Sequence, residues 1–239
     1  MGRFICIIRS GLFNVLFYSW TLTISFVTLP VLILPLRYIT WIPRLWCHVT
    51  MWLLRWCCGI RYQIRGLEHI PAGGAIIACK HQSAWETIMM YGIFPAPCYV
   101  LKRELIFYPI FGLHVLALKT VAVNRKAGAH ALRKMIKDAK RACDIGRHLI
   151  IFPEGTRTSP GTTAQMHPGI IALYQAGFAP VVPAALNSGL YWGRNSFLKA
   201  PGTIILEFLP PLPKDLNKRE VLPLLQATIE GSCAKLSIQ

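Results

Sequence analysis

Acidic residues are scarce in this chain: 10 Asp and Glu stand against 26 Lys and Arg in 239 residues, a formal charge of +16, and no acid precedes Glu68. Charge of either sign is sparse at 15%, whereas hydrophobic residues reach 54%, more than an ordinary soluble domain carries. A positive surplus attracts polyanions, whether nucleic acid, an anionic leaflet or an acidic carrier protein. No nucleic-acid recognition motif accompanies it, so nucleic acid is not an expected partner. The eight cysteines contain no C-x-x-C spacing; they read as reduced, mostly buried thiols of a cytoplasmic compartment. There is no G-x-S-x-G, which removes the nucleophile elbow of a serine hydrolase, and no internal repeat or Gly/Ser linker.

The stretch between Arg9 and Arg37 carries no formal charge, and its apolar run Leu12 to Leu36 exceeds the ~20 residues needed to cross a bilayer core. It is too long for the apolar part of a secretory signal, and no small-residue cleavage site follows. Pro30 and Pro35 interrupt a straight helix. The next apolar stretch, Leu45 to Ile60, is shorter and broken by Arg55. Two readings stand: a spanning helix followed by an interfacial one, or a hairpin dipping into one leaflet, with the hairpin preferred. A pair of soluble core helices is the third, but Trp20, Trp41, Trp46, Trp52 and Trp56 accompany Arg37, Arg44 and Arg55 as interfacial anchors would. With basic residues on both flanks, the segment is expected against anionic lipid on the cytoplasmic side of the inner membrane.

After Arg65 the pattern changes to short apolar runs punctuated by Gly and Pro, which divides the chain into a membrane-anchoring part, 1–63, and a domain, 64–239. Strands are predicted at Gly74 to Cys79, Cys98 to Lys102, Leu118 to Val123, His148 to Phe152, Pro180 to Leu186 and Thr203 to Leu209. Helices are predicted at Ala84 to Ile93, Ala127 to Ile145 and Glu220 to Lys235. The middle one is the clearest, with Leu132, Met135, Ile136, Ala139 and Cys143 on one face and Gly146 placed to end it. Strands alternating with helices imply an α/β layer fold.

Two turns carry candidate chemistry. In Cys79-Lys80-His81-Gln82-Ser83-Ala84-Trp85-Glu86, His81 and Glu86 would lie on different faces of a regular helix, so they meet only if His81 precedes the helix and Glu86 sits in its first turn. Ser83-x-x-Glu86 reads equally as a capping box with Ser83 as N-cap, and the residues alone do not separate capping from catalysis. A histidine oriented by a carboxylate is what activating an alcohol requires. The second turn, Phe152-Pro153-Glu154-Gly155-Thr156-Arg157, offers backbone donors and a guanidinium to a phosphate or an oxyanion, or is a surface turn. His48, His69, His114, His130 and His148 have no partners at ligand spacing, nor does Cys79 beside His81 form half of a recognisable site, so no metal is expected.

The two turns together, seventy-odd residues apart, resemble the glycerolipid acyltransferase family, and within it the bacterial 1-acyl-sn-glycerol-3-phosphate acyltransferases. Val123-Asn124-Arg125 and Val182-Pro183-Ala184 resemble two weaker family blocks, and the likeness runs from about Ile64 to Pro211. It implies an α/β fold with a mixed sheet flanked by helices behind an N-terminal membrane-embedded helical segment. It implies His81 as general base and Glu86 as its orienting acid. Arg125, Glu154, Gly155, Thr156 and Arg157 would bind substrate. The implied partners are lysophosphatidic acid, an acyl carrier protein or coenzyme A thioester, and an anionic membrane; no cofactor is implied. Three positions depart from the family pattern: Glu86 where Asp is usual, Asn124 where Asp is usual, and His167 where many members carry Lys.

Overall fold

The computed structural model describes residues 2–124 and 127–238. Helix α1 (Arg3–Val27) ends before Pro30, which has no N–H to continue it. The chain turns through a 3₁₀ segment, Leu29–Ile33, and a short α2 (Leu36–Ile39) entered from Pro35 in extended backbone. It returns as α3 (Trp41–Leu53), whose last turn widens into a π segment, Leu54–Cys58, closed by Gly59 at φ +70°. The two long helices form an antiparallel pair. Ile24 packs with Ile39 and Ile42 at one end, Trp46 Nε1 donates to Thr21 Oγ1 at 2.9 Å midway, and Arg9 Nε donates to the Cys57 carbonyl at the other.

The 25 residues of α1 give roughly 37 Å of helix, long enough by length and composition to cross a ~30 Å hydrocarbon core. One face is nevertheless occupied by protein along its length: Ser10, Phe13 and Ile24 are buried. Lys199 fastens that face to the domain, its backbone N–H donating to Ser10 Oγ at 2.9 Å and its ammonium to Asn14 Oδ1 at 2.7 Å. The opposite face exposes Phe4, Ile8, Val15, Tyr18 and Leu22.

Seven strands form one mixed sheet: β1 (Ile60–Arg65), β2 (Ile76–Cys79), β3 (Cys98–Lys102), β4 (Val121–Val123), β5 (Leu149–Ile151), β6 (Val181–Leu186) and β7 (Gly202–Phe208). Their spatial order is β1-β7-β6-β2-β5-β3-β4, with β6 and β7 the antiparallel pair. The central strands are buried on both faces, which explains their unbroken apolar runs. Alternation divides their side chains between two cores. Ile77, Ile150 and Val182 join Trp85 and Ile88 of α4 (Trp85–Ile93), together with Phe13 and Leu54 of the N-terminal pair. Ile76, Leu149 and Val181 join the other helices: α6 (Gly128–Asp144), α7 (Gly169–Gln175) and α8 (Lys218–Leu236). A further helix, α5 (Phe111–Ala117), follows a 3₁₀ segment, Arg103–Phe107.

The structure corrects the expected division at 63/64, which falls inside β1, a full member of the sheet. The N-terminal helices moreover share a hydrophobic core with β2 and α4 instead of standing apart. The strand expected from Leu118 is only Val121–Val123, because Leu118 closes α5. Strand β1 and the seven-residue helices α5 and α7 were not expected.

Neighbouring strands β2 and β5 run parallel, and their crossovers leave toward opposite faces: α4 follows β2 into one core, and α7 follows β5 into the other. A crevice at such a switch point, outside the carboxyl ends of the strands, is where α/β sheets bind ligands. Both motif turns begin there.

Candidate active site

His81 is the second residue past β2, and backbone bonds tie it to the other motif. Its N–H donates to Glu154 Oε2 at 2.9 Å, and its carbonyl accepts from the Thr158 N–H at 2.8 Å. The imidazole stacks on Phe152, with ring centroids 4.0 Å apart and planes inclined by 15°. Its Nδ1 lies 2.9 Å from Glu86 Oε1. A carboxylate acceptor there makes Nδ1 the protonated nitrogen and leaves Nε2 as the basic one.

Glu86 is fully buried in the first turn of α4. Oε1 also accepts the N–H groups of Gln82 at 2.7 Å and Ser83 at 2.6 Å, and Oε2 accepts Ser188 Oγ–H at 2.8 Å. Three donors thus converge on Oε1 and one on Oε2, which suits the ionised, acceptor-only form of a carboxylate. The same side chain therefore orients the imidazole and satisfies backbone donors ahead of the helix. Ser83 is not the N-cap: that position belongs to Ala84, and Ser83 Oγ accepts from Trp85 N at 3.1 Å, so the reciprocal box does not close.

Glu154 is placed differently from the expectation. It is 3% exposed and its carboxylate is engaged by neighbouring groups: Oε2 holds the His81 N–H, and Oε1 accepts Thr158 Oγ1–H at 3.1 Å and pairs with Lys80 Nζ at 2.6 Å. Lys80 also pairs with Glu230 Oε1 of α8 at 2.6 Å and donates to the Thr162 carbonyl. Burial opposes the charge on Lys80, but the bonds and charges of Glu154 and Glu230 outweigh it and hold its pKa above the ordinary value. Glu154 thus braces the two motifs against each other and is not among the residues that line the cavity at His81.

Gly155 adopts φ +64°, and its N–H is taken by the Phe152 carbonyl at 2.9 Å, which closes the tight turn. Gly155, Thr156 and Arg157 line a cavity of about 990 Å³ that also reaches His81. Arg157 immediately precedes Thr158, which is bonded to His81, so its backbone lies beside the dyad. Arg125 lies outside the described residues. His167 lines the cavity as well.

Three residues near the site carry no sequence motif. Arg194 donates to the Arg157 carbonyl at 3.0 Å and adds a second guanidinium to the lining. Lys102, at the end of β3, adds an ammonium. Ser188 anchors Glu86 from the loop after β6. The only hint for Lys102 was a basic residue closing a predicted strand. Nothing local marked the other two. Ile88, Tyr91, Tyr99, Leu101, Leu132 and Met135 give the cavity a broad apolar wall, and Phe17 and Trp46 of the N-terminal pair reach it too.

Burial pushes the Cys79 thiol well above its ordinary pKa, with the Glu86 charge adding to the effect, so it supplies no thiolate beside His81. Among the described residues no group of His, Cys, Asp and Glu is arranged to hold a metal ion.

A polar rim with a carboxylate-oriented imidazole and several cations, opening on an apolar space, suits an amphiphile with an anionic headgroup. Residues 61–187 match the family model described as Acyltransferase. The chain is 39% identical over 201 residues to the 1-acyl-sn-glycerol-3-phosphate acyltransferase of Pseudomonas aeruginosa, covering 82% of this chain and 77% of that one. Its identity to the enzyme of that name from Cocos nucifera is 31% over 175 residues, covering 72% of this chain and 56% of the other. The crystal structure of the 1-acyl-sn-glycerophosphate (LPA) acyltransferase from Thermotoga maritima superposes with a TM-score of 0.78 at 21% identity, over 97% of this chain and 98% of that one. By family model, by relatives and by fold, the chain belongs to the acyltransferase family and is an acyltransferase.

Proposed function

We propose that the protein transfers a fatty acyl group from an acyl carrier protein or coenzyme A thioester to the sn-2 hydroxyl of 1-acyl-sn-glycerol 3-phosphate, giving phosphatidic acid. The observation that carries this reading is the 2.9 Å bond from His81 Nδ1 to a fully buried Glu86, on the rim of a cavity lined by Arg157 and Arg194.

In this reading His81 Nε2 takes the proton of the acceptor hydroxyl as its oxygen attacks the thioester carbonyl. Glu86 fixes the tautomer and stabilises the imidazolium that forms. Backbone donors of the motif turns face the tetrahedral oxyanion. Collapse breaks the carbon–sulfur bond, and the imidazolium returns its proton to the leaving thiolate. Arg157, Arg194 and Lys102 hold the phosphate, joined by Arg125 as the family pattern implies. The acyl chains occupy the apolar part of the cavity. The thioester supplies the driving force, so the transfer needs no separate energy-coupling step.

The N-terminal helix pair is read as a hairpin held in the cytoplasmic leaflet of the inner membrane. Its support is the arrangement of α1: one face serves the domain and α3 from Ser10 to Ile24, and the other is apolar and bare. Basic residues on both flanks favour anionic lipid.

Purified protein given each thioester donor with a panel of lysolipids tests the reaction. Mass spectrometry is expected to find diacyl product from lysophosphatidic acid. Product only from acceptors lacking a phosphomonoester would replace the acceptor, and no product from any would return the fold to a basic membrane-binding role.

A further inference from the structure

The run Leu105 to Leu118 carries no formal charge and is bracketed by Lys102, Arg103 and Glu104 before it and Lys119 after it. Apolar runs of ~10–14 residues belong either to a buried core helix or to an interfacial segment. Exposure decides between them. Phe107 is 72% exposed, Tyr108 61%, Phe111 52%, Leu113 53% and Leu116 55%.

The segment is built as a rigid wedge. The Phe111 N–H closes onto the Pro109 carbonyl at 2.6 Å around Ile110, whose φ of +63° and ψ of −57° are the strained form of the γ-turn. A β-branched residue rarely adopts positive φ, and such strain persists only where the surroundings enforce it. Gly112 is part of the enforcement: a Cβ there would lie 1.9 Å from the Ile106 carbonyl oxygen, so the 3₁₀ segment and α5 are in backbone contact. The His114 ring then bridges the Ile110 carbonyl at 3.0 Å and Thr28 Oγ1 at 3.1 Å, pinning the wedge to the turn of the N-terminal pair. Ala117 and Leu118 pack with Ile24, Ile39 and Ile42 below it.

Pinned this way, the aromatic tip continues the bare apolar surface of the hairpin turn, where Ile33 is 89% exposed and Trp41 48%. Arg37, Arg103 and Lys119 stand at the ends of these segments, as phosphate-seeking cations do at a membrane boundary. The other side of the wedge is cavity wall: Leu105, Phe111, His114, Val115 and Leu118 line the same space as Phe17 and Trp46.

We infer that Leu105 to Leu118 is a second membrane-inserted element, seated in the acyl region of an anionic leaflet beside the hairpin. The inference rests on reading the hairpin as bilayer-embedded. Two inserted elements meeting at the cavity wall place the junction between them in lipid, which gives an acyl chain a lateral way in without crossing water.

The test uses the full chain with Cys6, the one cysteine that is not buried, changed to Ser. A bimane fluorophore is attached at F107C, at I8C on the bare face of α1, or at I145C at the far end of α6. Each protein is reconstituted into phosphatidylethanolamine–phosphatidylglycerol vesicles with or without bromine on the acyl chains. Bromolipid is expected to quench positions 107 and 8 at least twofold and to leave 145 unchanged. Quenching at 8 but not at 107 overturns the inference and leaves the anchor standing. No quenching at either overturns both. Protection of 107 from aqueous iodide without bromolipid quenching means that protein covers the wedge, and also overturns it.

Discussion

Ser188 Oγ donates to Glu86 Oε2 at 2.8 Å, although 102 residues separate the two. Both side chains are fully buried, so the acid of the dyad is held from the loop after β6 as well as from its own helix. The neighbouring Gly189 N–H donates to Gln82 Oε1 at 3.0 Å, which attaches the same loop to the His81 turn. Ser188→Ala leaves a buried carboxylate oxygen without its donor, at a cost of ~1–3 kcal/mol. Steady-state kinetics are expected to show kcat down by about tenfold with KM little changed, and Ser188→Thr, which keeps the hydroxyl, to recover most of the loss.

Lys80 joins Glu154 and Glu230 under the site, and the Glu154 carboxylate is fully buried. Lys80→Met strands that charge and is expected to cost ~3–5 kcal/mol, read from urea midpoints. The pH dependence follows from the raised pKa of Lys80. Its stabilisation is fully present below the unfolded value of 10.5 and is lost only as pH rises through the higher folded value. The gap between wild type and Lys80→Met is therefore expected to stay constant from pH 7 to about 10 and to shrink above that. Shrinkage between pH 7 and 9 would contradict the pairing.

Arg194 reaches the cavity from a loop and donates to the Arg157 carbonyl of the motif. A charge-assisted bond to a phosphate contributes ~1.5–3 kcal/mol, so Arg194→Ala is expected to raise KM for lysophosphatidic acid about tenfold or more. An uncharged acceptor of equal chain length should show no such change. Equal effects on both acceptors would assign Arg194 to the loop and not to the headgroup.

Cys79 stands two residues from His81 but is fully buried, with its thiol held protonated. Cys79→Ala is expected to transfer acyl groups within about threefold of the wild-type rate. No acyl-thioester adduct should appear on the intact protein by mass spectrometry during turnover. A stable adduct on wild type that vanishes in the variant would show a covalent route.

Much of this was legible in the sequence because local pattern carried it. Strands β2, β5 and β6 are buried runs, β3 and β7 are short apolar runs of the same kind, and α6 has a clear apolar face. The dyad was legible because a histidine before a helix and an acid in its first turn meet by local geometry alone. Strand β1 was not: it is an edge strand whose Arg61, Tyr62 and Gln63 are exposed, so its composition mimics a loop. Helices α5 and α7 are too short to show a period. Ser188 and Arg194 reach the site only through the β6–β7 turnback, a long-range event with no local signature. Glu154 sits in a motif, yet its inward direction is set by Lys80 and Glu230, and the latter lies on a helix at the other end of the chain. Apolar residues on α1 look alike whether they face lipid or Trp192, and only the fold separates Phe13 from Val15.

The most direct test of His81 as the base is single-turnover transfer from a thioester to lysophosphatidic acid by His81→Ala, with circular dichroism and vesicle binding measured on the same sample. The rate is expected to fall by at least ~10²-fold while fold and binding persist. A wild-type rate in the folded, membrane-bound variant would contradict the assignment.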